Sequence, residues 1–416
     1  MTTYPNPARE GSAAELPLDG ILVLDFSQFL AGPVAAMRLA DLGATVIKVE
    51  RPAGGDIGRN LAFAGMWPDS DSLSFHIMNR SKLSFGANLK DPQDLDDIRR
   101  LVARASVIIQ NFRPGVMERI GLDYESVREL NPSIVYGSVS GYGSEGPWRD
   151  RPGQDLLAQA MSGLPWLNGH HDQGPVPVGL SIADLLASCH LAQGITALLL
   201  RRERTGMGGL VETSLMEGML DMQFELISAH LNDSSVAVHR GGEYGAHPFL
   251  AAPYGIYPSA DGYLALAMNP VPELGRILGL DLDRFTDPQT WWTERDAIEQ
   301  LLAEHLATQT NEYWLQLLDA ADVWAAPVLQ LSELVQHPGF AALDMTQTIR
   351  RRSEDGTEVT LQTTRSPLRI DGKTLSSDVG APRLGEHTEE VRRRYLGGDA
   401  NGVGAVGGAE PQRKAQ

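Results

Sequence analysis

The opening stretch constrains the fold most. Residues Ile21–Leu24 form a short apolar run, Pro33–Leu42 repeat apolar side chains at helical spacing and stop at Gly43, and Ala44–Val49 form a second β-like run. Strand, helix and strand in so short a span make a βαβ unit, and such a crossover joins parallel strands. The alternation continues as helix Pro92–Ala105, strand Ser106–Gln110, helix Tyr124–Leu130 and strand Ile134–Val139. This pattern predicts an α/β fold with a doubly wound, Rossmann-like large domain.

Further along, Gly153–Ser162 reads as a helix, and Ile182–Arg204 as a long one that ends in a basic turn before Gly206. A strand (Gly209–Leu215) and a helix (Met216–Leu231) follow, then a Gly-, Ser- and His-richer stretch that marks a linker or active-site loop. From Tyr257 to about Val328 the pattern suggests a smaller α+β unit opening with a hairpin at Asp261-Gly262. A chain of 416 residues accommodates two or three folding units. The expected division is 16–231 for the first part of the large domain, 232–256 for the linker, 257–330 for the small domain, 331–396 for a return to the large domain and 397–416 for a loose tail.

Charge narrows the partners. A formal net charge of -18 repels nucleic acid and anionic membrane surfaces, so neither is expected as a partner. A small anionic ligand would need Arg and Lys gathered at strand ends and helix N-termini. The single cysteine, Cys189, cannot form an internal disulfide, and the start of the chain lacks a charged-then-apolar leader, so a cytoplasmic protein is expected. The longest apolar stretch, Ile182–Leu200, carries Asp184, Ser188, His190 and Gln193 and reads as too polar to span a membrane. Cys189 and His190 within it are taken as core residues, and no H-E-x-x-H or C-x-x-C spacing suggests a metal.

Asp184 is the residue with most at stake. An ionisable group opening an apolar helix is costly to bury unless it is paired or used. It also suits the first turn of a helix, where an acid contributes ~0.5–2 kcal/mol without any catalytic role. The residue pattern leaves both readings open. The βαβ opening invites a dinucleotide reading, because Glu50 ends the second strand, but the turn Asp25–Pro33 holds only Gly32 and lacks the G-x-G-x-x-G geometry.

Six segments occur in order: LDFSQFLAGP (Leu24–Pro33), GATVIKVERPAGGD (Gly43–Asp56), NFRPGVMERIGLDY (Asn111–Tyr124), VSGYGSEGPWRDRPGQDLLAQAMSGL (Val139–Leu164), APYGIYPSADGY (Ala252–Tyr263) and PRLGEHTEEV (Pro382–Val391). Together they resemble the family III coenzyme A transferases, the group of formyl-CoA transferase and carnitine CoA-transferase, from Leu16 to Leu396. The resemblance implies an interlocked homodimer, CoA and acyl-CoA as substrates together with small organic acids, and no permanently bound cofactor. It implies Asp184 as the nucleophile of a ping-pong reaction through an aspartyl-CoA thioester. A helix N-terminus would favour the ionised form that must attack.

Other positions follow from the same resemblance. Arg51 and Arg119 would contact the nucleotide part of CoA, Asn111 and Phe112 would line its groove, and Ala87 to Lys90 would lie near the adenine. The Gln28-Phe29-Leu30-Ala31 turn and the Gly241-Gly242 loop would close over the site and offer N–H groups to an oxyanion. Asp155 would lie near the acceptor acid, with a helix N-cap as its alternative, and His247 would face the site from a loop. Two departures stand out. Gln154 replaces the histidine of the related CoA-thioester racemases and the tyrosine of many transferases. Gln28-Phe29-Leu30 also lacks the His-x-Gln of the formyl-transferring members, which argues against oxalate or formate as preferred substrates. A CoA-thioester racemase or isomerase and a non-catalytic CoA-binding protein are the competing readings; Gln154 opposes the first and Asp184 the second.

Overall fold

Six parallel strands make the central sheet: β1 (Leu22–Asp25), β2 (Thr45–Glu50), β3 (Lys82–Gly86), β4 (Val107–Gln110), β5 (Val135–Ser140) and β6 (Gly209–Ser214), in the order β3-β2-β1-β4-β5-β6. This is a computed structural model that describes residues 16–233, 235 and 240–397. Strand β1 pairs with β2 on one side and β4 on the other, so the winding reverses there. A crevice beyond the carboxyl ends of β1 and β4 is the outcome, and it is where open α/β sheets bind ligands.

The helices of this part are α1 (Ala31–Asp41), α2 (Leu73–Asn79), α3 (Pro92–Val102), α4 (Val116–Ile120), α5 (Tyr124–Leu130), α6 (Asp155–Ser162), α7 (Ile182–Thr205), α8 (Leu215–Met222) and α9 (Phe224–Asn232). Val23, Val46, Val107 and Val135 on one sheet face pack against Ala35, Ala36 and Leu39 of α1 and Ala187, Leu191 and Ile195 of α7. The small side chains let both helices lie close to the strands. Leu22, Ile47, Leu83 and Ile108 on the other face pack against Ile98 and Leu101 of α3 and against Val391 and Tyr395 near the end of the described chain.

Three local expectations need correction. Helix α7 buries Ala183, Ala187, Leu191, Ile195 and Leu199, a stripe at four-residue spacing. Cys189 lies off that stripe and is exposed, and His190 is half-buried with Nε2 3.3 Å from Asp221, so neither is a core residue. By length and apolarity α7 alone among the described helices suits a membrane span, yet this stripe rests on the sheet. The predicted helix over 216–231 is two helices that break at Gln223, whose φ of -97° and ψ of 17° leave the helical region. Strand β3 escapes the apolar-run criterion because Lys82 and Ser84 interrupt it. Both are buried through partners: Lys82 Nζ donates to Asp25 Oδ2 at 2.8 Å and Ser84 Oγ to Glu50 Oε1 at 2.7 Å. The outer edge of β3 is covered, since the His387 N–H donates to the Ser84 carbonyl at 3.0 Å and the Gly86 N–H to Thr388 Oγ1 at 2.9 Å.

A separate core surrounds an antiparallel sheet of β7 (Gly255–Pro258), β8 (Tyr263–Leu266) and β9 (Ala325–Pro327). Tyr257, Leu264 and Leu266 pack there with Leu274 of α10 (Val271–Leu278), Ile298 and Leu302 of α12 (Arg295–Leu306), which follows the short α11 (Thr290–Thr293), and Trp314 of α13 (Asn311–Ala320). The chain then forms α14 (Leu331–Leu334), α15 (Pro338–Leu343) and the hairpin of β10 (Thr346–Arg352) and β11 (Glu358–Thr364). Arg351 on β10 ties this hairpin to the loop after β2 by donating to Asp71 Oδ2 at 2.8 Å.

Candidate active site

The site forms where β1 turns into α1. Several backbone polar groups of this turn are held by side chains of its neighbours. The Gln28 N–H donates to Asn111 Oδ1 at 2.8 Å, and Asn111 Nδ2 donates back to the Gln28 carbonyl at 2.7 Å, across the switch point from β4. The Phe29 N–H donates to Asp56 Oδ1 at 3.1 Å, and Lys48 Nζ donates to the Ser27 carbonyl at 2.8 Å. Phe29 adopts a left-handed φ of 66°, unusual for a residue with a Cβ. Gly32 is required by a close approach: a Cβ there would lie 2.2 Å from the Ser27 Cβ.

Asp184 is the third residue of α7 after the N-cap Ser181, and its carboxyl faces the N–H of Ala31, the first residue of α1. Two helix N-termini therefore converge on one carboxylate. Asp155 opens α6 and its side chain reaches to α7: Oδ1 accepts the Asp184 N–H at 3.1 Å, while Oδ2 accepts Gln159 Nε2 of its own helix at 2.7 Å. Asp155 thus caps α7 rather than its own helix. Burial pushes the Asp184 carboxyl up to about 7, the nearby Asp155 charge adds to the rise, and the Ala31 N–H opposes it. The expectation that the helix terminus would favour the ionised form is overridden, because desolvation and a like charge outweigh it.

A cavity of about 580 Å³ opens over this carboxyl and is lined by Phe29, Leu30, Asn111, Phe112, Gln154, Asp155 and Asp184 among the residues singled out from the sequence. Three arginines not singled out also line it: Arg113, Arg149 and Arg151. All three are exposed and lie in the NFRPG and WRDRPG segments, whose arginines were the signal available.

Arg51, Ala87 and Asn111 directly follow β2, β3 and β4, so they share the carboxyl edge of the sheet. Arg51 is exposed and donates to the Gly55 carbonyl at 3.3 Å; Lys90 and, on α4, Arg119 are also exposed, whereas Ala87 is buried. Arg51, Ala87, Lys90 and Arg119 lie outside the lining of the Asp184 cavity. Gly241 and His247 line another cavity, of about 500 Å³, beside His170 and Arg240. There the Gly242 N–H donates to Asp296 Oδ1 at 3.1 Å, and His247 Nδ1 accepts the Phe249 N–H at 3.1 Å. One chain therefore brings Phe29, Leu30, Asn111, Phe112, Gln154 and Asp155 to the cavity of Asp184, ties Gln28 to Asn111 behind it, and leaves Gly241, Gly242 and His247 elsewhere.

Glu50 is unavailable to a ribose: it is buried and accepts Arg59 Nε at 2.8 Å and Arg59 Nη2 at 2.7 Å. His170, His171 and Asp172 bring ligand atoms within 4.8 Å of one another on a turn remote from these groups in sequence.

Comparison with known proteins points to one family. The family model for CoA-transferase family III matches residues 18–388. The succinate–glutarate CoA-transferase of Agrobacterium fabrum is 32% identical over 404 residues, covering 94% of this chain and 97% of that protein. The succinyl-CoA:mesaconate CoA-transferase of Haloarcula hispanica is 32% identical over 388 residues, covering 90% and 95% respectively. A crystal structure of a CaiB/BaiF family protein from Brucella suis superposes with a TM-score of 0.78 at 30% identity, covering 92% of this chain and all (100%) of that one.

Proposed function

Since the chain belongs to CoA-transferase family III, we propose that it moves CoA from an acyl-CoA to a free carboxylic acid through a covalent thioester on Asp184. One observation carries this reading: the Asp184 carboxyl sits in a cavity between two helix N-termini, with the Ala31 N–H directed at it. The carboxylate attacks the thioester carbonyl, the C–S bond breaks, and a mixed anhydride and CoA thiolate form. The thiolate then attacks the Asp184 carbonyl of the anhydride, which releases the donor acid and leaves aspartyl-CoA. An acceptor carboxylate attacks that thioester to form a second anhydride, and the returning thiolate takes its acyl group, which restores the Asp184 carboxylate. No net proton is consumed, so a single ionised carboxylate with N–H donors suffices.

Gln154 carries no titratable proton, and no histidine is among the residues that line the cavity. A racemase needs two proton-transfer groups about the α carbon, and the second acid of the cavity, Asp155, is already held by the Asp184 N–H and Gln159 Nε2, so this arrangement favours transfer. Arg113, Arg149 and Arg151 suit a second carboxylate, and the similar proteins are named for succinate, glutarate and mesaconate. A dicarboxylic acid as acceptor, with succinyl-CoA as donor, is the pair to test.

The active form in this reading is a homodimer. Exposed apolar side chains support it, including Leu200 of α7, Phe224 and Leu231 of α9, and Leu331 of α14. A reducing compartment such as the cytoplasm suits the exposed thiol of Cys189. The test is CoA exchange between succinyl-CoA and a panel of acids followed by mass spectrometry, with the aspartyl-CoA adduct on the intact protein as the decisive species. Absence of exchange with every acid and absence of the adduct would overturn the proposal.

A further inference from the structure

Asp56 takes no part in the chemistry above, yet it stands behind the turn that meets Asp184. It is buried. Its Oδ1 accepts the N–H groups of Phe29 at 3.1 Å and Gly58 at 2.8 Å, and its own N–H donates to Glu50 Oε2 at 3.1 Å. Lys48 Nζ lies 2.8 Å from its Oδ2 and holds the Ser27 carbonyl of the same turn at 2.8 Å. Asp25 lies 3.9 Å from that ammonium and 2.8 Å from Lys82 Nζ, so two acids and two lysines balance beneath the turn.

We infer that Asp56 is a positioning residue for the transfer reaction: by holding Phe29 in its left-handed conformation it keeps the Phe29 ring on the cavity wall and the Ala31 N–H on the Asp184 carboxyl. The inference rests on Asp184 being the nucleophile. A left-handed phenylalanine crowds its Cβ against the next carbonyl and persists only where neighbours over-determine it. The Asp56 acceptor is the neighbour on the Phe29 N–H, as Asn111 is on Gln28. Without it the turn relaxes to a right-handed or extended φ, which rotates the peptides that lead to Ala31. The charged groups facing Asp184 itself are separate from this set: Asp155 from α6, and Arg113, Arg149 and Arg151 on the cavity wall.

The experiment compares Asp56→Ala and Asp56→Asn with the parent protein in steady-state CoA exchange across pH. Asparagine retains an oxygen for the Phe29 N–H and alanine does not. We expect Asp56→Ala to lower kcat about tenfold or more, with the KM for acyl-CoA changed less than about twofold. Its acidic limb in kcat/KM moves to higher pH, because the Asp184 carboxylate loses the Ala31 N–H. Removal of the Asp56 charge alone moves that limb to lower pH, so the direction separates aim from electrostatics. Asp56→Asn shows no upward move. A folded Asp56→Ala protein with parental kcat and limb, altered only in thermal stability, overturns the inference, as do equal losses in the two variants without a limb shift.

If the alanine variant does not fold, Phe29→Asn and Phe29→Pro decide. Both lose the ring, but asparagine tolerates the left-handed turn and keeps its N–H whereas proline allows neither. A larger kcat loss for proline supports the inference, and equal losses sink it. A parent protein that exchanges no acid at all instead removes the functional proposal on which this one stands.

Discussion

Asp155 accepts the backbone N–H of Asp184 at 3.1 Å, so the acid that opens α6 holds the first turn of α7 while its charge opposes ionisation of the Asp184 side chain. The same contact fixes where the carboxyl sits and makes it expensive to charge. A carboxyl held in this way is a local instability that the rest of the fold tolerates.

Asp184→Asn separates these two consequences. CoA exchange should fall by several factors of ten, because amide oxygen is a poor nucleophile, while the protein becomes more stable. The folded carboxyl lies near 7 against 3.8 for the free side chain, so ionisation at pH 8 opposes folding by on the order of 1–3 kcal/mol, discounted for its partial contact with solvent. The stability difference between variant and parent should be small at pH 4, widen up to about pH 7 and stay level above. Urea titrations at pH 4, 6 and 8 check this, and a variant less stable than the parent at pH 8 contradicts it.

The pH profile of the parent follows from the same value. The attacking form is ionised, so kcat/KM should fall below about pH 7, approaching tenfold per unit well under that point. Asp155→Asn keeps an acceptor for the Asp184 N–H but removes the like charge, and its acidic limb should lie at lower pH. An unmoved limb would show that burial alone sets the Asp184 carboxyl.

The arginines divide by place. Arg51 at the end of β2 and Arg119 on α4 lie outside the cavity lining, so Ala at either should raise the KM for acyl-CoA with a smaller change in kcat. Arg151 and Arg149 line the cavity, so Ala at either should raise the KM for a dicarboxylic acid several-fold and spare a monocarboxylic one of similar length. Equal effects on both acids would remove the second-carboxylate role.

Gly32→Ala tests the approach of α1 to its own turn. The added Cβ would meet the Ser27 Cβ at 2.2 Å, a distance that forces the backbone apart. A loss of about 1–3 kcal/mol in chemical denaturation, with a fall in CoA exchange, is expected. Parental stability would mean that the turn has slack.

The strand–helix alternation and Asp184 were legible in the linear sequence, because periodicity and a charge in an apolar run are local properties. That is why the parallel sheet, the start of α7 and its stop at Gly206 could be read directly, whereas β3 could not: Lys82 and Ser84 look solvent-facing until Asp25 and Glu50 arrive from other strands to pair them. The same holds for the site. Its motifs pointed to Asn111 and Asp155, but only folding joined Asn111 to Gln28, Asp56 to Phe29 and Asp155 to Asp184, contacts that span 83, 27 and 29 residues. Those partners decide whether a buried polar group is a liability or a brace. The sign of the shift on Asp184 was likewise set by desolvation and by a second acid from another helix, neither of which exists before the chain closes on itself.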